Sequence, residues 1–281
     1  MDTAFGASGL ALLAALFWGS ASFFGGIASR HLSALAVVAF SHTVGLLVVL
    51  SLAIGVGERQ PPAQDFVWGA AAGLAGAVGI AALYHALSLG KAGVAAPISA
   101  ILAAALPVTW SITVRGLPSL VGIAGLALGL LGIYLVSRPG ERAEGRKGIG
   151  FAVLSGLGFG VFFILTSGFS GESVFLPLVA ARAASALVAS TLVILMGVKI
   201  RLRRRWVWWV IAAAGAIDIA GTAFYAASAQ FGRLDISAVA SSLYPAVTIL
   251  WAYIVLRERI TGMQSIGIVT GLVAIGLISI G

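Results

Sequence analysis

Apolar residues run almost unbroken along this chain, interrupted only by short clusters of charged residues, glycine and proline. The apolar runs fall at about 7–28, 33–55, 66–89, 94–114, 118–137, 148–168, 174–198, 206–230, 235–256 and 260–280. Each is close to the ~20 residues that an α-helix needs to cross the hydrocarbon layer of a bilayer. The breaks hold Arg30-His31, Glu58 to Asp65, Lys91, Arg115 to Pro118, Arg138 to Lys147, Gly171-Glu172, Lys199 to Arg205, Arg233 to Asp235, and Arg257 to Arg259. The pattern predicts an all-α integral membrane protein of ten transmembrane helices. In lipid the backbone has to satisfy its own hydrogen bonds, and a helix does so within one segment.

The pattern also occurs twice. Residues 90–132 match residues 232–274 at a constant shift of 142 positions, so that Gly90-Lys91 falls on Gly232-Arg233, Ser99 on Ser241, Arg115 on Arg257, Gly125 on Gly267 and Gly129 on Gly271. This predicts a first five-helix repeat over 1–137, a polar linker over 138–147 and a second five-helix repeat over 148–281. A repeat with an odd number of spans starts on the opposite side of the membrane from its predecessor. The two repeats are therefore expected to be inverted copies, meeting on an axis in the membrane plane where a cavity can open to either side in turn.

Composition supports the membrane assignment. The chain is 60% hydrophobic and 9% charged, whereas a soluble domain carries about 25% charged residues. Its 37 glycines suit membrane helices, where small residues let backbones approach. The net charge of +8 does not call for a nucleic-acid partner, because the positive residues lie in short loops between spans. Of 17 Lys and Arg, 13 lie in the loops after odd-numbered spans, which by the positive-inside rule places those loops in the cytoplasm and both termini outside. With no cysteine present, a disulfide framework, a thiolate metal site and a cysteine nucleophile are excluded. No basic leader or small-residue cleavage site precedes the first run, so that run is expected to be a retained helix.

Several residues carry a resemblance to the EamA type of the drug/metabolite transporter superfamily. They are Phe17-Trp18-Gly19-Ser20 in the first span; Pro245 followed by Leu256-Arg257-Glu258-Arg259 at the junction of spans nine and ten; and the Gly267, Gly271, Gly276 rhythm of the last span. The likeness extends over essentially the whole chain. It implies a secondary transporter in a bacterial inner membrane that exports amino acids or related metabolites. It also implies cytoplasmic termini, opposite to the charge bias, and an acidic junction that this chain keeps at Glu258 but replaces with Gly116 in the first half.

Ionisable groups within the spans are the sharpest chemical signal, since one near the bilayer centre costs about 2.5–3.5 kcal/mol even on insertion scales. Asp218, flanked by small residues, suits a proton acceptor or a partner for a substrate amine, or else a helix-to-helix ion pair. Arg182 is its natural counter-charge and can grip a carboxylate or phosphate bidentately, or snorkel to the boundary. His42 and His85 lie in the first half without a second ligand at helical spacing, so they read as cavity-lining or interhelical hydrogen-bonding groups and no metal site is expected. Trp18, Tyr84, Trp110, Tyr225, Gln230 and Tyr244 complete the expected substrate pathway. Pro97, Pro107 and Pro245 mark the fourth and ninth spans as kinked, gating elements.

Catalytic constellations and phosphate loops are lacking, and no cofactor is expected. The reading is of a transporter, not an enzyme, for a small-molecule substrate, with H+ as the candidate coupling ion, working as a monomer or homodimer in contact with membrane lipid. A lipid-headgroup flippase and a membrane enzyme acting on lipid-linked substrates are the alternatives.

Overall fold

Each apolar run folds as a helix in the computed structural model, which describes residues 2–88, 92–136, 148–200, 204–257 and 260–280. The elements are α1 (Asp2–Ser29), α2 (Ala34–Val56), α3 (Ala63–Ser88), α4 (Ala92–Arg115), α5 (Leu120–Val136), α6 (Ile149–Thr166), α7 (Phe175–Leu195), α8 (Arg205–Phe231), α9 (Leu234–Ser241), α10 (Tyr244–Leu256) and α11 (Gly262–Ile280). There is no strand among the described residues. Eight spans are long and apolar enough to cross a membrane, α9 and α10 together forming one of them, and the shorter apolar helices α5 and α11 bring the total to ten. The linker 138–147, Gly90-Lys91 and Glu258-Arg259 lie outside the described residues.

The ninth span departs from the expected single helix. It parts at Ser242 and Leu243, and Pro245 is the second residue of the new helix. Proline has no N–H to give to the Ser241 carbonyl and its ring crowds that oxygen, so the ladder cannot pass. Helix α4, by contrast, runs through the buried Pro107 without a break. Pro97 also belongs to α4, its side chain outside the described residues.

Helix packing follows a two-fold relation between the halves. Helix α1 packs on α8 as α6 packs on α3; α4 packs on α6 as α9 and α10 pack on α1; and α2 with α7, and α5 with α11, are partners across the axis. Five spans per half make the copies inverted. Glycine sets the closest approaches: a Cβ on Gly132 would stand 2.9 Å from the Gly271 nitrogen and 3.1 Å from the Gly267 carbonyl oxygen. Only a residue without a side chain lets α5 and α11 meet there.

Loops after even-numbered spans are stapled together by side chains. On this even face Arg115 donates to the Gly232 carbonyl at 3.1 Å and Arg233 to the Gly116 carbonyl at 3.1 Å. Arg233 also pairs with the fully buried Asp235 at 2.9 Å. Buried Asp65 accepts the Ser170 hydroxyl at 2.7 Å. Glu58 receives the N–H groups of Val174, Phe175 and Leu176 at 2.6–3.0 Å, so a carboxylate from the first half caps the N-terminus of α7 in the second. An anion is favoured there by both the free N–H groups and the helix dipole.

Partial burial pushes the Glu58 carboxyl up, but the Ser173 hydroxyl and the three N–H groups outweigh it and hold it below its usual value. A lowered folded value means that the charged cap stabilises above the unfolded carboxylate value and is lost as pH falls through the folded one. Glu58→Gln is therefore expected to lower the melting temperature at pH 7, by the equivalent of ~1 kcal/mol for a lost cap. The difference from the parent should shrink below the ordinary glutamate value of about 4.3, and an unchanged melting temperature at pH 7 would show that the cap is dispensable.

Candidate functional site

Where the two halves meet, α7 and α8 place an ion pair near the middle of the bundle. Arg182 is the eighth residue of α7, five residues after Pro177, and Asp218 is at the centre of α8. Arg182 Nη2 donates to Asp218 Oδ2 at 2.5 Å, with side-chain exposures of 9% and 28%. The same nitrogen donates to Thr222 Oγ1 at 2.8 Å. Thr222, one turn after Asp218, donates in turn to the Asp218 carbonyl at 2.9 Å and accepts Trp18 Nε1–H at 3.3 Å. A first-half indole is thus tied to a second-half ion pair. Charges withdrawn from water in this way persist because each is both paired and hydrogen-bonded.

These groups border a cavity of about 80 Å³, room for a few waters or a small ligand in the conformation seen. His42, Ser22, Gly73, Gly76, Ile80, Ala103 and Tyr244 line it as well. Phe159, Phe162 and Phe163 supply an aromatic wall. On the even-face side that wall is continued by a stack in which Trp18 lies 5.6 Å from Phe163 and Phe163 4.6 Å from Tyr225, centroid to centroid. His42 is buried and its Nδ1 is 2.9 Å from Ser185 Oγ, which also reaches the Arg182 carbonyl at 3.2 Å. The Tyr244 hydroxyl is buried without a hydrogen-bond partner, an arrangement that a folded protein tolerates when a ligand or water completes it.

Of the residues selected from the sequence, the structure brings Trp18, His42, Arg182, Asp218 and Tyr244 around one cavity. Five others stand elsewhere. Tyr225 is fully buried in the aromatic stack, its hydroxyl donating to the Phe163 carbonyl at 3.3 Å. Tyr84 is buried in a packed layer where Gly25 makes room for its hydroxyl. His85 is exposed and edge-on to Phe151 at 4.4 Å. Trp110 is 49% exposed on the outside of α4. Gln230, near the end of α8, has a buried and unpartnered Nε2. Thr222 and Ser185 were not singled out from the sequence. Their signal was helical spacing, since Thr222 is four residues after Asp218 and Ser185 three after Arg182.

Among curated proteins none matches this chain. A crystal structure described only as that of a protein is similar in fold, with a TM-score of 0.76 and 20% identity over 98% of this chain and 97% of that one. The model of the EamA-like transporter family matches twice, over residues 6–138 and 146–280. The two matches coincide with the two halves that pack around the ion pair. An all-helical, multi-pass membrane bundle made of two such units, with an ion pair at a central cavity, belongs to the EamA-like transporter family of small-molecule membrane transporters.

Proposed function

We propose that this protein is a secondary transporter that exports a small metabolite such as an amino acid or related compound, by alternating access between inverted repeats spanning 1–137 and 148–281. The observation that carries this reading is the Arg182–Asp218 pair in a cavity enclosed by both halves. The pair is monodentate, and among the described residues Arg182 Nε and Nη1 and Asp218 Oδ1 make no other hydrogen bond. Donors and an acceptor are thus available side by side. The pair has no net charge, so a net-neutral zwitterion enters without leaving a charge uncompensated in low dielectric.

Transport is proposed to be proton-coupled, with Asp218 exchanging Arg182 for a proton or a substrate amine as the bundle rocks. Its orientation follows the loop charges, with odd-numbered loops in the cytoplasm. Reconstituted into proteoliposomes, the protein is expected to carry labelled amino acids down an imposed gradient and to accumulate them against a proton gradient. Tyr244→Phe removes the unpartnered hydroxyl, so it is expected to leave the melting temperature unchanged while weakening substrate about tenfold, the effect of one lost hydrogen bond. Absence of flux for every soluble metabolite tested would overturn the transport reading; unaltered affinity in Tyr244→Phe would remove that hydroxyl from the site. A reporter fused to the C-terminus that proves cytoplasmic would reverse the orientation.

A further inference from the structure

Residues around the cavity come in pairs related by the two-fold. Gly79 on α3 meets Phe159 on α6, and Gly221 on α8 meets Trp18 on α1. The shift of 142 positions between Gly79 and Gly221 sets the register of α3 on α8, and at that shift the counterpart of Asp218 is Gly76. Gly73 abuts the backbone of Ala181, while Gly215, its counterpart, abuts the backbone of Ser41. Those contacts align α2 with α7 at a shift of 140, so the counterpart of Arg182, one residue on, is His42. An independent contact agrees. A Cβ on Gly45 would stand 3.6 Å from Arg182 Cδ, and the residue 140 positions later, Ser185, is the one bonded to His42.

The second half therefore presents a cation and a carboxylate to the cavity, whereas the first presents an imidazole and, opposite it in the two-fold scheme, no side chain at all. His42 is 7% exposed and lines the cavity with Nδ1 engaged by Ser185. Nε2 is the ring nitrogen left for a ligand. Gly76 lines the same cavity, and the three atoms nearest to a Cβ there belong to the Phe162 side chain, at 3.3 Å and beyond.

We propose that the His42 and Gly76 side of the cavity is a carboxylate subsite, in which the carboxylate of the ligand stands where the first half lacks a counterpart of Asp218 and accepts the Nε2–H of His42. Because Arg182 and Asp218 cancel, the occupied cavity is neutral overall when the ligand's carboxylate is balanced either by the ligand's own ammonium or by a proton on His42. The ligand class is thus a small molecule bearing one carboxylate. The word substrate for that ligand rests on the transport reading above; the subsite does not.

The test uses the whole protein in nanodiscs, labelled with ¹⁵N at its three histidines, with acetate as the probe and His42→Gln to assign the resonance. Acetate is expected to shift the His42 ring nitrogens saturably, chloride and acetamide to leave them in place, and His31 and His85 not to respond. Gly76→Asp tethers a carboxylate in the subsite, so it is expected to shift the His42 resonance without acetate and to weaken acetate binding by about tenfold or more through like-charge repulsion. The proposal is overturned if acetate moves His42 no more than chloride does, or if a folded Gly76→Asp protein still binds acetate as the parent does. Should Gly76→Asp fail to fold, the titration of the parent decides alone. Loss of the transport reading would show separately, as proteoliposomes without flux from a protein whose His42 still responds to acetate.

Discussion

Replacing Asp218 by alanine is expected to destabilise the bundle by roughly 3 kcal/mol, because it leaves the Arg182 guanidinium charged, desolvated and without its counter-ion. The figure lies at the low end of the range for breaking a buried pair, since Asp218 is 28% exposed while Arg182 is only 9% exposed. Thermal unfolding in detergent, followed by tryptophan fluorescence, reads it directly. The double replacement Arg182→Met with Asp218→Leu should recover most of the loss, because apolar residues of similar volume substitute for a buried ion pair at little cost. Transport should remain absent in the double variant. Recovery of stability without recovery of transport separates the pair's structural contribution from its role at the site, and a single Asp218→Ala variant that melts with the parent would deny the pair its structural contribution.

Gly215→Ala is the other large effect. A Cβ at that position would stand 2.9 Å from the Ser41 carbonyl carbon, a backbone atom that no rotamer change can move aside. Helices α2 and α8 must then separate beneath the ion pair, with an expected cost of about 3 kcal/mol or more in lost packing and forced backbone shift. Gly276→Ala is the internal control. Nothing lies within 4 Å of a Cβ there, so the better helix former should be neutral or add up to ~1 kcal/mol. If both variants lose stability alike, helix flexibility rather than helix contact explains the glycines.

The spans were legible in the sequence because lipid forces every crossing segment to be apolar and helical, leaving little choice of architecture. Arg182, Asp218 and His42 were legible because ionisable groups in lipid are costly enough to stand out. Helix rotation was not. When every face of a helix is apolar, sequence gives no phase, and so His85, Trp110, Tyr84 and Tyr225 could be assigned to helices but not to directions. Thr222 and Ser185 escaped notice for another reason. A hydroxyl bonds the carbonyl of its own preceding turn at low cost, as Thr222 does with Asp218, so it leaves no anomaly to detect. Proline was ambiguous in a similar way: Pro107 sits within an intact helix and Pro245 beside a parted one.

That last contrast bears on kinetics. A helix already parted at Ser242 and Leu243 keeps only turn bonds there, such as Leu243 N–H to the Ala240 carbonyl at 3.3 Å, and has less backbone ladder to rupture when it bends, while its partner α4 is continuous from Ala92 to Arg115. Opening the bundle by flexing one is mechanically cheaper than opening it by flexing the other. In the alternating-access cycle proposed above, the two half-cycles, though built from the same fold, are therefore expected to cross activation barriers of different height.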